Sequence, residues 1–230
     1  MKSLLSWLGN ILPFGCGLAG GQIGLEAPTP YPKEEQYITN ASPARRDEFR
    51  AGRRFGREAL AQTGTQATDI LIGEYGEPVW PLGQVGSITH AERYVIASVA
   101  PSLRLLGLGL DLELATPLDP KLSAVICGPG ELRAGREPCE KGVDFGKRAL
   151  VAKEAYFKAT SSWVRRRFDF LDVAVTFDPY SGSFEVIAVE RGLGLALPHP
   201  SRVSGRYHQA DGLIAATVWI SANPTDRGAG

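Results

Sequence analysis

An α+β fold built as two similar lobes meeting near residue 105 is expected from three features of the chain. Each half carries one strong helix signal followed by several short β-rich segments, which sets a helix against a sheet twice over. No period of about 20–50 residues repeats, which excludes a solenoid or propeller. A chain of 230 residues that is 43% hydrophobic and 22% charged can bury substantial cores, which excludes disorder, collagen-like repeats and coiled coil.

The elements can be justified in order. Lys2 precedes Leu4, Leu5, Trp7, Leu8, Ile11 and Leu12, and small residues follow around Gly15–Gly21. A cleaved leader would begin similarly, but Asn10 and Pro13 interrupt the run, and it falls short of the roughly 20 apolar residues of a membrane span. A first helix and strand are therefore expected. A Pro-rich connection, Gly24–Lys33, leads through Glu34–Ala41 to a clear helix start. Ser42 is a good N-cap and Pro43 suits the first helical position; Asp47 and Glu48 complement the early turns, and Gly64 stops the helix after about Thr63. Phe49, Gly52, Gly56, Ala59 and Leu60 form its packing face, while Arg46, Arg50, Arg53 and Arg57 line a neighbouring face as a basic stripe.

Short extended pieces follow at Ile70–Ile72 and Pro78–Pro81, then strands at Val85–Thr89 and Tyr94–Ala100, rich in β-branched residues. Leu108–Leu114 alternates strictly, so its four leucines share one face and Gly109, Asp111 and Glu113 the other. Thr116–Asp144 reads as a helix or two with long connections, and Phe145–Thr160 as the second major helix. On that helix Ala152, Ala155, Tyr156 and Ala159 take one face and Val151, Glu154 and Lys158 another. Phe168–Phe177, Ser183–Val189, Tyr207–His208 and Leu213–Ile220 then read as strands of a largely antiparallel sheet, the first pair turned by Asp178–Gly182.

Lys and Arg number 25 against 25 Asp and Glu, a formal net charge of zero. Bulk electrostatic grip on nucleic acid or an anionic membrane is thereby excluded, and any anionic ligand must be met by local clusters. Cys16, Cys127 and Cys139 are odd in number and share no CxxC or CxH spacing, which argues against a disulfide framework or zinc knuckle and for a cytoplasmic setting.

Asp111 and Glu113 emerge on the same side of one strand, close enough to share a hard divalent cation; a solvated acidic edge would show the same pattern. Glu154 and Lys158 have the spacing of a helical ion pair. Lys147, Arg148, Lys153, Lys158, Arg165, Arg166 and Arg167 crowd a stretch whose one acid before Phe168 is Glu154, a local surface for an anion or an acidic partner. Gly86-Ser87-Ile88-Thr89-His90 ends a strand with two hydroxyls and a histidine, without the nucleophile elbow of a hydrolase. His199 and His208 are given no role.

Five motifs in order then carry a resemblance: Arg45-Arg46-Asp47-Glu48-Phe49 with Gly52-Arg53 and Arg57-Glu58-Ala59-Leu60; Gly76-Glu77-Pro78 with Trp80-Pro81; Gly86 to His90; Gly109 to Glu113; and Lys153-Glu154-Ala155 with Lys158. Over roughly residues 10 to 220 the chain resembles the 4'-phosphopantetheinyl transferases, most of all the branch typified by the enterobactin synthetase component D. The resemblance implies two α/β lobes with pseudo-twofold symmetry, residues 1–105 and 106–230, and an active site in the cleft between them. It implies transfer of the phosphopantetheine arm of coenzyme A to a serine of an apo acyl or peptidyl carrier protein, with Mg²⁺ as cofactor and adenosine 3',5'-bisphosphate as product. Asp111, Glu113 and Glu154 would hold the metal. Arg45 and Arg53 would meet the nucleotide end with its 3'-phosphate, Ser87 and His90 the coenzyme A phosphates, and Lys153 and Lys158 the pyrophosphate. Glu154, Lys158 and His90 would be the catalytic set, with Glu154 or a metal-bound water taking the serine proton.

The chain also departs from the family pattern. Ile72 and Tyr75 stand where relatives often place basic residues, so phosphate contacts there are expected to be missing or replaced by Arg54 or Arg57. Val151-Ala152-Lys153 replaces the commoner Ser- or Cys-Ala-Lys. Arg165–Arg167 are expected to meet the acidic recognition helix of a carrier. A monomer is expected, acting in siderophore, polyketide or nonribosomal peptide synthesis. A non-catalytic relative that binds coenzyme A or carriers is the alternative, which the three intact acids argue against; a metal-dependent phosphohydrolase would lack its nucleophile and further acidic ligands.

Overall fold

A computed structural model describes residues 2–134, 144–161, 169–188, 199 and 202–223. In chain order the elements are α1 (Lys2–Ile11), β1 (Gly17–Gln22), α2 (Pro32–Gln36), α3 (Pro43–Gln62), β2 (Leu71–Ile72), β3 (Pro78–Val79), β4 (Gln84–Ala91), β5 (Tyr94–Pro101) and β6 (Leu105–Leu114). There follow α4 (Pro120–Ile126), α5 (Pro129–Ala134), α6 (Phe145–Thr160), a 3-10 turn at Phe170–Asp172, β7 (Val173–Asp178), β8 (Ser183–Ala188), β9 (Val203–Ala210) and β10 (Leu213–Ser221).

Two antiparallel sheets each receive one long helix. In the first half α3 lies on the sheet β1-β5-β4, and in the second α6 lies on β6-β10-β9-β8-β7; β2 and β3 form a separate hairpin. The α3 signals act as read: the Ser42 hydroxyl accepts the Arg45 amide, Pro43 opens the helix, and Phe49, Gly52, Gly56, Ala59 and Leu60 are buried. Ala59 and Leu60, with Ala51 and Phe55, pack in a core with Ala19, Ile70, Val95 and Val99. Val151, which the helical reading set beside Glu154 and Lys158, is instead fully buried in the second core with Ala152, Ala155, Tyr156, Val175 and Val218.

The leucine face of β6 joins the halves, because Leu110 and Leu112 share a third cluster with Leu4 and Leu8 of α1, Ile96 of β5 and Ala215 of β10. The opposite face is free to carry polar groups. At Gly109 a Cβ would stand 1.8 Å from the Ala155 carbonyl oxygen, so α6 rests directly on the β6 backbone there. That contact brings Glu154 and Lys158 beside the acids of β6.

Three local expectations change. Of the stretch expected to be extended, Phe168 lies outside the described residues and Phe170–Asp172 forms the 3-10 turn, since Asp169 caps the Leu171 amide at 3.2 Å while Asp172 accepts the Asp169 amide at 2.8 Å. β9 extends well beyond Tyr207–His208 on both sides, supported by its ladder to β10. The short α2 is additional.

Candidate functional site at the junction of the two sheets

β6 and β4 are the edge strands of their sheets, and they meet without a shared backbone ladder among the described residues. Edge groups need other partners when buried. Side chains supply them: the Ser87 hydroxyl donates to the Leu110 carbonyl at 3.2 Å, and the Thr89 hydroxyl accepts the Leu112 amide at 3.2 Å. Thr89 also donates to Asp111 Oδ1 at 3.0 Å.

Asp111 is buried, and its Oδ1 takes a second donor, Lys158 Nζ at 2.7 Å; that ammonium also reaches the Leu110 carbonyl at 3.2 Å. Glu113 receives Lys147 Nζ, from the first turn of α6, at 3.3 Å. Glu154 lies half-buried nearby. Burial first, then the charge of Asp111 and, more weakly, Glu113, push its carboxyl above the ordinary 4.5, against the opposing pull of Lys158. The three expected metal acids are thus electrostatic neighbours, with lysines on two of them. Among the described residues no three acid, His or Cys side chains converge closely enough to hold an ion in this arrangement.

His90 stands at the same junction. Partial burial lowers its pKa, and Lys158 and Arg45 lower it further against Asp111 and Glu113. Its Nε2 lies 3.5 Å from Glu48, which also pairs with the exposed Arg45. Glu48 and Lys147 were not among the expected site residues; Glu48 stood only as an acid of the first turns of α3 and within the first motif, and Lys147 only in a basic stretch.

Beside this cluster a cavity of about 500 Å³ opens between the β2–β3 hairpin, β4, β6 and the end of α6. Its wall is largely apolar, with Trp80, Leu108 and Phe157, and it includes Ser87 and Lys158. Tyr75 lines it too.

Other expected contacts lie elsewhere. Lys153 is 0% exposed; its ammonium donates to the Ile126 and Phe170 carbonyls at 2.7 and 2.9 Å and to Glu131 at 2.9 Å. With three oxygen partners inside the second half, it is held as a buried brace and is not among the residues that line the cavity. Arg53 is buried over the Phe49 ring, 4.2 Å from its centroid, and donates to the Leu71 carbonyl at 3.4 Å. Burial pushes its guanidinium down to about 10. The expected basic stripe is largely consumed, since Arg50 pairs with Glu35 at 2.7 Å and Arg57 with Glu34 at 2.7 Å, both acids on α2. Arg54, expected with Arg57 as a replacement phosphate contact, is held by Glu26 at 2.7 Å. Arg165–Arg167 lie outside the described residues.

With this geometry in place, the likeness to known proteins becomes specific. Residues 33–100 match the family model of the 4'-phosphopantetheinyl transferase N-terminal domain. The chain is 30% identical over 194 residues to the 4'-phosphopantetheinyl transferase PptT of Mycobacterium tuberculosis, covering 83% of this chain and 86% of that one. It is 29% identical over 194 residues to Svp of Streptomyces mobaraensis (84% and 79% covered) and 33% identical over 153 residues to Npt of Nocardia iowensis (66% and 68% covered). A mixed helix-and-sheet enzyme of the transferase class is thereby defined. The chain belongs to the 4'-phosphopantetheinyl transferases and transfers the 4'-phosphopantetheine group to carrier proteins. No helix among the described residues is long and apolar enough to cross a membrane.

Proposed function

We propose that the donor is coenzyme A, that the acceptor is a serine hydroxyl of an apo acyl or peptidyl carrier protein, and that the reaction depends on Mg²⁺ and releases adenosine 3',5'-bisphosphate. The serine oxygen attacks the β-phosphorus, the bond from that phosphorus to the bridging oxygen breaks, and the α-phosphate leaves with the electron pair. The observation that carries this reading is the cluster at the sheet junction, where Glu154, with raised proton affinity, faces Asp111 already bound by Lys158, beside a cavity bounded by both halves.

The chemistry of the donor set suits a hard cation, because it consists of three neighbouring carboxylates, of which Glu154 binds its proton more tightly through burial first and then through the charge of Asp111. Asp111, Glu113 and Glu154 would hold Mg²⁺, which when bound supplies charge neutralisation to the pyrophosphate. Lys158 stabilises the charge that grows on the leaving phosphate, and its present bond to Asp111 supports a position within reach. Glu154 accepts the serine proton, directly or through water, a task favoured by its raised proton affinity. Arg45 meets the nucleotide end, Ser87 and His90 meet the coenzyme A phosphates, and Ser87 lies on the cavity wall. The lobes of this reading are residues 1–105 and 106–230, in a cytoplasmic monomer.

Mass spectrometry of a panel of apo carriers incubated with coenzyme A, Mg²⁺ and the protein tests the proposal. One added phosphopantetheine on at least one carrier is expected, and a loss of transfer in Asp111→Ala. Modification that proceeds unchanged in excess chelator would remove the metal from the scheme, and no modification with coenzyme A would remove the donor.

A further inference from the structure

We propose that Thr89 is a positioning residue for the transfer: its hydroxyl sets the carboxylate of Asp111 while locking the edge of β4 to the edge of β6. The proposal rests on the reading of Asp111 as a cation-binding acid. A hydroxyl has one proton to give and lone pairs to accept with. In Thr89 the proton goes to Asp111 Oδ1 at 3.0 Å and a lone pair takes the Leu112 amide at 3.2 Å, with the side chain 1% exposed. The donor and the acceptor therefore belong to the same short stretch of β6, and the hydroxyl cannot rotate without losing one of them.

The consequence for Asp111 is geometric. Thr89 and Lys158 both take Oδ1, which fixes the plane of the carboxylate and leaves Oδ2 for another partner. Lys158 reaches across from α6 on a long chain and is 29% exposed, so it can exchange partners when an anionic ligand enters. Thr89 cannot: it is short, β-branched and packed between two strands, and it holds the rotamer of Asp111 whether or not Lys158 stays. An outer hydrogen bond of this kind orients a ligating carboxylate. The nearby Ser87 makes a different bond, to the Leu110 carbonyl, and so fastens the junction without touching the acid.

The test compares Thr89→Val, which keeps the shape and removes the hydroxyl, with Thr89→Ser, which keeps the hydroxyl. Thr217→Val serves as control, because Thr217 on β10 is also fully buried and donates to β6 at the Gly109 carbonyl, 3.1 Å away. The readout is Mn²⁺ affinity by electron paramagnetic resonance, in coenzyme A without carrier, so that no turnover is needed. Thr89→Val is expected to weaken Mn²⁺ binding on the order of 10–100-fold, Thr89→Ser to restore it to within a few-fold, and Thr217→Val to bind as wild type. Wild-type affinity in Thr89→Val, or failure of the serine to rescue, overturns the proposal. Should the valine variant not fold, Thr89→Ala removes the same hydroxyl and is judged the same way. Asp111→Asn separates the two levels: if it binds Mn²⁺ like wild type, the reading of Asp111 falls; if it loses affinity while Thr89→Val does not, only the role of Thr89 falls.

Discussion

Replacing Lys153 by Met distinguishes a brace from a phosphate contact. The ammonium lies among the Ile126 carbonyl, the Phe170 carbonyl and Glu131, and Glu131 itself also accepts the Gly128 and Val175 amides at 2.8 and 2.9 Å. Removing the cation leaves a buried carboxylate with neutral donors only and two carbonyls without their donor. Breaking one side of such a pair costs about 3–5 kcal/mol. For a chain of this size each kcal/mol shifts the midpoint by roughly 2–4 °C, so Lys153→Met should melt about 6–20 °C lower by calorimetry. Below its melting range the variant should keep its KM for coenzyme A within a factor of about two, since the ammonium is 0% exposed. Adding Glu131→Gln should recover part of the lost stability by removing the stranded charge. A melting temperature within about 2 °C of wild type together with a many-fold higher KM for coenzyme A would refute the reasoning.

Three further outcomes are expected. Burial and Asp111 raise the pKa of Glu154 above 4.5, so above that pH the native state holds more protons than the unfolded chain and stability falls as pH rises through the raised value. Glu154→Gln should therefore melt about 1–8 °C above wild type near neutral pH, lose that advantage below the ordinary carboxylate range, and transfer no phosphopantetheine; thermal scans across pH and a carrier assay check both halves. Gly109→Ala places a Cβ 1.8 Å from the Ala155 carbonyl oxygen, so α6 must shift, with a loss of about 1–3 kcal/mol in denaturant titrations and on the order of 100-fold in kcat. Arg54→Gln should leave the KM for coenzyme A unchanged and cost at most about 1 kcal/mol, because the guanidinium is already shared between Glu26 and Glu58 and is 42% exposed.

Local signals were legible in the residues; long-range partners were not. Ser42, Pro43 and the packing face of α3 announce a helix through caps and spacing, which act within a few residues. The alternation in β6 likewise announces which face Asp111 and Glu113 share, although the burial of Asp111 comes from the approach of β4 and α6. Arg50 and Arg57 look like part of a basic stripe on α3, and only the docking of α2 brings Glu35 and Glu34 onto them, as the segment before α2 brings Glu26 onto Arg54. Lys153 stands next to Glu154 in the chain, yet one turns into the second core and the other toward β6, a division set by a helix packed on both sides. The 3-10 turn was missed because Asp169 and Asp172 bond each other's backbone, a local chemistry hidden in an otherwise apolar stretch.

The zero net charge therefore has a sharper meaning than opposed surface patches. Among the described residues several cations and acids are paired, and exposure separates buried pairs that cannot open from pairs that keep a member in solvent. Glu34 with Arg57 and Glu131 with Lys153 have side-chain exposures of 0%/13% and 8%/0%, so opening either would strand a charge away from water. Asp111 with Lys158 and Glu113 with Lys147 have 9%/29% and 40%/9%, so in each pair one member stays in contact with solvent. These two pairs lie where β6 meets α6, and they are the ones a cation and an anion could enter together: the acids would take the cation, the lysines the anion, and the local charge would stay balanced. Glu34 with Arg57 and Glu131 with Lys153 hold the frame in which that exchange occurs, which is why neutralising the braced Lys153 and neutralising Lys158 should give different phenotypes.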